Sequence, residues 1–109
     1  MAAEEHDRKT AVISHLPHAA AVLLTQVAGR LGGFEIASTG LRDTTRLASS
    51  HPQMRADIML ANRQPLIEAL DTFSEELAGL RRLLSAADAE SLIEFLKRTK
   101  HLRDEWIKP

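Results

Sequence analysis

Apolar positions near the start of the chain recur at spacings of three and four. Val12, Leu16, Ala19, Ala20, Leu23 and Val27 form one stripe, which predicts a helix from about residue 3 to residue 28 with a single buried face. Pro17 interrupts the stripe. It has no N–H for the carbonyl of Ile13 and its ring crowds that turn, so a kink is expected there. Gly29 is the expected left-handed cap, and the stretch from Arg30 to Leu41 has no helical period and reads as a loop. A short helix is predicted over Arg42 to Ser49. Another starts at Pro52, a residue tolerated at a first helical position, and runs to about Ala61. Asn62 then reads as the N-cap of a further helix with Pro65 in its first turn; an unbroken helix through Pro65 is the rival reading.

From Leu66 the pattern is more regular. Leu66, Leu70, Phe73, Leu77, Leu80 and Leu84 are separated by four, three, four, three and four residues, a seam of nearly three heptads. Such a seam packs either inside its own domain or against a partner subunit, and both readings stay open. Ser85 and Asp88 match the capping pattern S-x-x-D at the expected start of the last helix. Leu92, Phe95, Leu96, Thr99, Leu102 and Trp106 give that helix its apolar face. The expected fold class is all-α: one domain over residues 1–109, about five helices, two of them long, a kinked first helix and no strand.

Composition narrows the function classes. With 109 residues, 44% hydrophobic and 27% charged, the chain is ordinary globular material. Its 14 basic and 15 acidic residues leave a net charge of -1, so no basic surplus is available to grip nucleic acid. There is no cysteine, which excludes disulfides and thiolate metal sites and makes the cytoplasm the simplest location. The longest apolar run, Ala19 to Leu24, is too short to span a bilayer, and the polar start at Glu4 to Arg8 is no signal peptide. No membrane and no nucleic acid are therefore expected as partners.

Two clusters carry chemistry. In Ser14-His15-Leu16-Pro17-His18 the two histidines lie three apart on neighbouring parts of one helix face, and Ser14 lies four before His18. Histidines in an apolar helix need partners; backbone hydrogen bonds within a packed core are the plain explanation. In Gly40-Leu41-Arg42-Asp43-Thr44-Thr45-Arg46-Leu47-Ala48, Arg42 and Arg46 are four apart and suited to a carboxylate or phosphate. Asp43, Thr44 and Thr45 would cap the helix start or orient the arginines; the plain alternative is a solvated basic face with an internal Asp43–Arg46 pair. Three weaker signals fail. His6-Asp7 resembles a metal-phosphohydrolase doublet but has no upstream histidine. His15 and His18 lack a third metal ligand, so no metal is expected. Gly32-Gly33 belongs to no phosphate loop, since neither G-x-G-x-x-G nor G-x-x-x-x-G-K-[ST] occurs.

The clusters, in this order, resemble the prephenate/arogenate dehydrogenase family of tyrosine biosynthesis. That family's C-terminal domain opens like H-D-x-x-x-A-x-x-S-H-L-P-H, matched here by His6-Asp7, Ala11 and Ser14 to His18. A block like G-F-[RK]-D-x-[ST]-R-[IVL]-A corresponds to Gly40 to Ala48, and S-x-P-x-M-W-x-D-I followed by N corresponds to Ser50 to Ile58 and then Asn62. Leu41 replaces the usual Phe, and Arg55 stands where several members have a pocket-side Trp, which leaves the pocket wall and substrate choice open.

The resemblance implies an oxidation of prephenate or arogenate by NAD or NADP with decarboxylation. An N-terminal Rossmann domain would hold the nucleotide, and this helical domain would form an intertwined homodimer and close the site of a small dicarboxylate substrate. These residues would supply no catalytic group and bind no cofactor themselves. Arg46 would bind a substrate carboxylate, His18 would line the pocket, Asp43 would hold the arginine, and Thr39 and Gly40 would touch substrate through their backbone. Ser14, His15, Arg42 and Arg55 would support them. The alternative is a non-catalytic helical dimer that binds an aromatic amino acid or acts only structurally.

Overall fold

The computed structural model describes all 109 residues, Met1 to Pro109. In chain order it contains α1 (Ala3–Thr10), a π-helical turn (Ala11–His15), α2 (Leu16–Leu31), a 3-10 turn (Phe34–Ile36), α3 (Thr39–Thr45), a second 3-10 turn (Arg46–Ser49), α4 (Pro52–Ala61), α5 (Arg63–Ala86) and α6 (Ala89–Trp106). The chain is all-α, and α1, the π turn and α2 form one continuous rod, Ala3–Leu31. Two compact units are present, Met1–Asp71 and Thr72–Pro109, with the boundary inside α5.

In the first unit the disturbance expected at Pro17 takes the form of the π turn. The N–H of Leu16 bonds to the carbonyl of Ala11, five residues back, just before the proline that cannot donate. This widened turn adds a residue and rotates the faces on its two sides by about 100°. The buried side is consequently Ala11, His15, Ala19 and Ala21, whereas Val12, Leu23 and Val27 of the expected stripe are exposed. Small side chains let α2 approach α3 and the second 3-10 turn. Leu66 and Ala69, at the start of α5, are also buried.

The rod is also more apolar than its longest unbroken run implied. By length and composition it is sufficient to cross a membrane. A soluble core helix meets the same test, and the buried alanine face is the feature of this rod that packing uses.

Two expectations about the following segment are corrected. α2 runs past Gly29 to Leu31, and Gly32 and Gly33 take the positive φ angles, 87° and 118°, that other residues rarely adopt. The residues expected as a loop then contain a 3-10 turn and the start of α3, so Thr39 and Gly40 lie in a helical first turn. Pro52 begins α4 as expected, and His51 caps it by accepting the N–H of Met54 on Nδ1 at 3.3 Å. The helices do break at Asn62, with Pro65 in the first turn of α5.

The second unit contains no buried residue. Ser85 lies inside α5, so the expected S-x-x-D start is replaced by a cap three residues later: Asp88 accepts the N–H of Ser91 at 3.1 Å. Ala87 makes the turn between α5 and α6 with φ 53°, an unusual conformation for a residue with a Cβ. Of the heptad seam, Leu66 is buried in the first unit, but Phe73, Leu77 and Leu84 are exposed. On α6, Leu96, Leu102 and Trp106 are exposed as well.

Candidate functional site

The π turn sets the two histidines apart. His15 is buried and His18 is half-buried. His18 Nδ1 lies 3.0 Å from the carbonyl of Ser14. A carbonyl only accepts, so His18 donates through Nδ1, and Nε2 is left for another partner. His15 Nδ1 lies 3.2 Å from Asn62 Nδ2, which also donates to the carbonyl of Asp7 at 2.9 Å. The amide is therefore a double donor, and His15 accepts on Nδ1 as a neutral ring. Burial, the nearby Arg55 guanidinium and His18 all lower the His15 pKa below its ordinary value of 6.5. Asn62 thus ties the start of the chain to the junction of α4 and α5. It was expected only to cap a helix, because its partners lie 47 and 55 residues away in sequence.

The second cluster is solvated. Arg42, Asp43 and Arg46 are exposed. Arg42 helps line a cavity of about 240 Å³ with Phe34, Ser38, Leu41 and Thr45. Arg46 falls after the end of α3, in the 3-10 turn, and its N–H bonds to the Asp43 carbonyl. Asp43 forms no ion pair with Arg42 or Arg46, so the internal Asp43–Arg46 pair is not made; in water such a pair gains little. Nor do the threonines orient the arginines. Thr44 and Thr45 donate back to the carbonyls of Gly40 and Leu41, each at 2.7 Å, the usual outlet for hydroxyls inside a helix. Thr39 and Gly40 carry first-turn N–H groups that the helix itself does not use.

Arg55, on α4, is set differently. It lines a cavity of about 390 Å³ together with Ala19, Leu23, Leu47, Met59 and Leu70. The apolar members of this wall carry no chemical signature in sequence and could only be found once the helices were assembled. No three His, Cys, Asp or Glu side chains converge as a metal-ligand set.

An all-α module with polar anchoring in one unit and uncovered apolar helix faces in the other has the features of an association domain. The comparisons give the family. The model described as "Prephenate dehydrogenase, dimerization domain" matches residues 2–98. The prephenate dehydrogenase of Bacillus subtilis is 37% identical over 95% of this chain and 29% of its own length. The cyclohexadienyl dehydrogenase of Zymomonas mobilis is 37% identical over 94% of this chain and 37% of its own. The solved prephenate dehydrogenase of Aquifex aeolicus, in complex with hydroxyphenyl propionate and NAD+, is 35% identical over 96% of this chain and 38% of its own, with a TM-score of 0.87. The chain belongs to the prephenate dehydrogenase dimerization-domain family. It spans about a third of the length of these relatives.

Proposed function

We propose that these residues form the C-terminal domain of a cytoplasmic prephenate or arogenate dehydrogenase, in which they build a homodimer and close one side of a dicarboxylate substrate site. The observation that carries this reading is the uncovered apolar surface on α5 and α6. Phe73, Leu77, Leu84, Leu96, Leu102 and Trp106 are all exposed in a unit that buries nothing of its own. A second copy supplies the same surface by symmetry. The family match crosses both units, which supports treating residues 1–109 as one functional domain.

On the substrate side, Arg46 supplies a free guanidinium for a carboxylate, His18 has Nε2 left for a partner, and the first-turn amides of Thr39 and Gly40 remain available for oxygen atoms. Asp43 adds an acidic group beside them. Ser14 orients His18 through its carbonyl, His15 holds the helix through Asn62, and Arg42 and Arg55 supply flanking charge. The 109 residues contain no strand followed by a glycine loop and helix, so they do not fit a dinucleotide. NAD or NADP would be held by a separate Rossmann domain, which would also perform the hydride chemistry. Calorimetry with prephenate on the protein joined to such a domain tests this reading. Binding that weakens at least tenfold in Arg46→Gln supports it; binding indifferent to Arg46 overturns the substrate assignment.

A further inference from the structure

The amide of Asn62 spends both of its hydrogens at one point of the fold. Its Nδ2 lies 2.9 Å from the carbonyl of Asp7 in α1 and 3.2 Å from Nδ1 of His15 in the π turn. A carbonyl only accepts, so the NH2 end of the amide faces Asp7, and its second hydrogen goes to His15. The ring can accept it only while Nδ1 carries no proton. A proton there would set an imidazolium N–H against the amide N–H, donor against donor. Turning the amide over would let Oδ1 accept from the ring, but would set that oxygen against the Asp7 carbonyl, acceptor against acceptor. Neither orientation of the amide satisfies both partners of a protonated His15, so the three-way contact exists only with the neutral ring.

The helix held by this contact has little burial of its own. α1 buries no side chain, and its Glu5–Lys9 ion pair is internal to it. The Asp7 carbonyl also accepts the Ala11 N–H, so α1 keeps its helical bond when the amide leaves. What it loses is the tie to the junction of α4 and α5. Around the ring, Arg55 acts from α4 and His18 from α2, and both oppose a further cation. The Nε of Arg55 is itself buried without a hydrogen-bond partner. No carboxylate forms an ion pair with His15, and that of Asp7 lies beside His6. Together with burial, these groups hold proton uptake by His15 below the ordinary value of 6.5.

We infer that Asn62 and His15 form a proton-operated latch: a neutral His15 lets the amide tie α1 to the junction of α4 and α5, and a protonated His15 breaks the tie and frees α1 while α2 and α4 keep their packing. The latch is closed above the ordinary value of 6.5 and opens as the pH falls through the lowered one. It needs no bound ligand and no second copy, so it stands or falls apart from the association and substrate readings above.

The test is NMR on the 109-residue chain from about pH 8 to about pH 4. Ring nitrogen shifts of His15 report its tautomer and its protonation, and heteronuclear NOEs of the backbone amides report the order of each helix. At the upper end His15 should carry its proton on Nε2, and Ala3–Thr10 should be as ordered as α2. As the pH falls, α1 should lose that order at the midpoint of the His15 titration, with α2 and α4 unchanged. In His15→Gln, whose side-chain carbonyl accepts from Asn62 at any pH, α1 should stay ordered throughout. Asn62→Ala should free α1 at every pH, and His6→Gln should still show the acid release. An α1 that stays ordered through the His15 titration, a His15 that takes up no proton above about pH 4, or a release that persists in His15→Gln would each overturn the inference. Loss of order in α2 and α4 together with α1 would mean acid unfolding of the whole unit, and would overturn it as well.

Discussion

The two units of this chain use their helices in opposite ways. Residues Met1–Asp71 contain every buried side chain, namely Ala11, His15, Ala19, Ala21, Leu66 and Ala69. They also hold the one long-range side-chain link, Asn62 to Asp7 and His15. Residues Thr72–Pro109 bury nothing, yet present Phe73, Leu77, Leu84, Leu96, Leu102 and Trp106. The first region is organised by small residues and a shared amide, and the second by large apolar residues that need another surface. The difference teaches that a regular hydrophobic pattern does not by itself mark a domain's own core. Here the more regular pattern belongs to the region with less burial.

The comparison breaks most readily at Leu77. A glutamate there places a charge in the surface that a second copy would cover, and such burial is prohibitive without a partner. Leu77→Glu should weaken association by about a hundredfold or more, equivalent to roughly 2.7 kcal/mol, as read by sedimentation equilibrium. Helicity of the first unit should be unaffected; an unchanged dimer would show that the seam faces elsewhere.

Next in size is Asn62→Ala. It leaves the buried His15 Nδ1 without its donor, while the Asp7 carbonyl keeps the Ala11 N–H, and should lower stability in urea by about 1–3 kcal/mol. If the loss is below measurement, the amide is not what ties the first unit together. A smaller effect should follow pH. Because His15 has its pKa lowered in the folded chain, the unfolded chain takes up its proton first as pH falls. Stability is therefore fully present above the ordinary value of 6.5 and declines below it toward the lowered value. His15→Gln should flatten that decline in a series of urea melts, and a decline of unchanged slope would point to other groups. The smallest expected effect lies in the second unit. Ala87→Gly relieves a left-handed backbone and should stabilise by about 1 kcal/mol in thermal melts, whereas a loss would mean that the Cβ makes a contact worth more than the strain.

Much of the fold was legible in sequence for local reasons. Helical spacing, Pro52 and the break at Asn62 all act within a turn or two of the chain, and each gave an element where expected. The buried face of the first helix was not legible, because the π turn at Ala11–His15 changes the angular register that a 3.6-residue count assumes. The αL position also misled: Gly29 and Gly33 carry the same side chain, and only the length of α2 decides between them. At the site, residue type drew attention to His15, His18, Arg42 and Arg46. Side-chain partnerships were less visible. Asp43 does not pair with its neighbouring arginines, and Asn62 reaches back 55 residues. Arg55 was marked in sequence by its difference from the family pattern; its orphaned Nε emerged only from three-dimensional packing.

The most direct measurement is the mass of the 109-residue chain in solution, by sedimentation equilibrium across micromolar concentrations. If the exposed face of Thr72–Pro109 is completed by a second copy, the mass will be twice that of one chain and will fall to a single chain in Leu77→Glu. A wild-type chain that stays strictly monomeric at high micromolar concentration would contradict that claim.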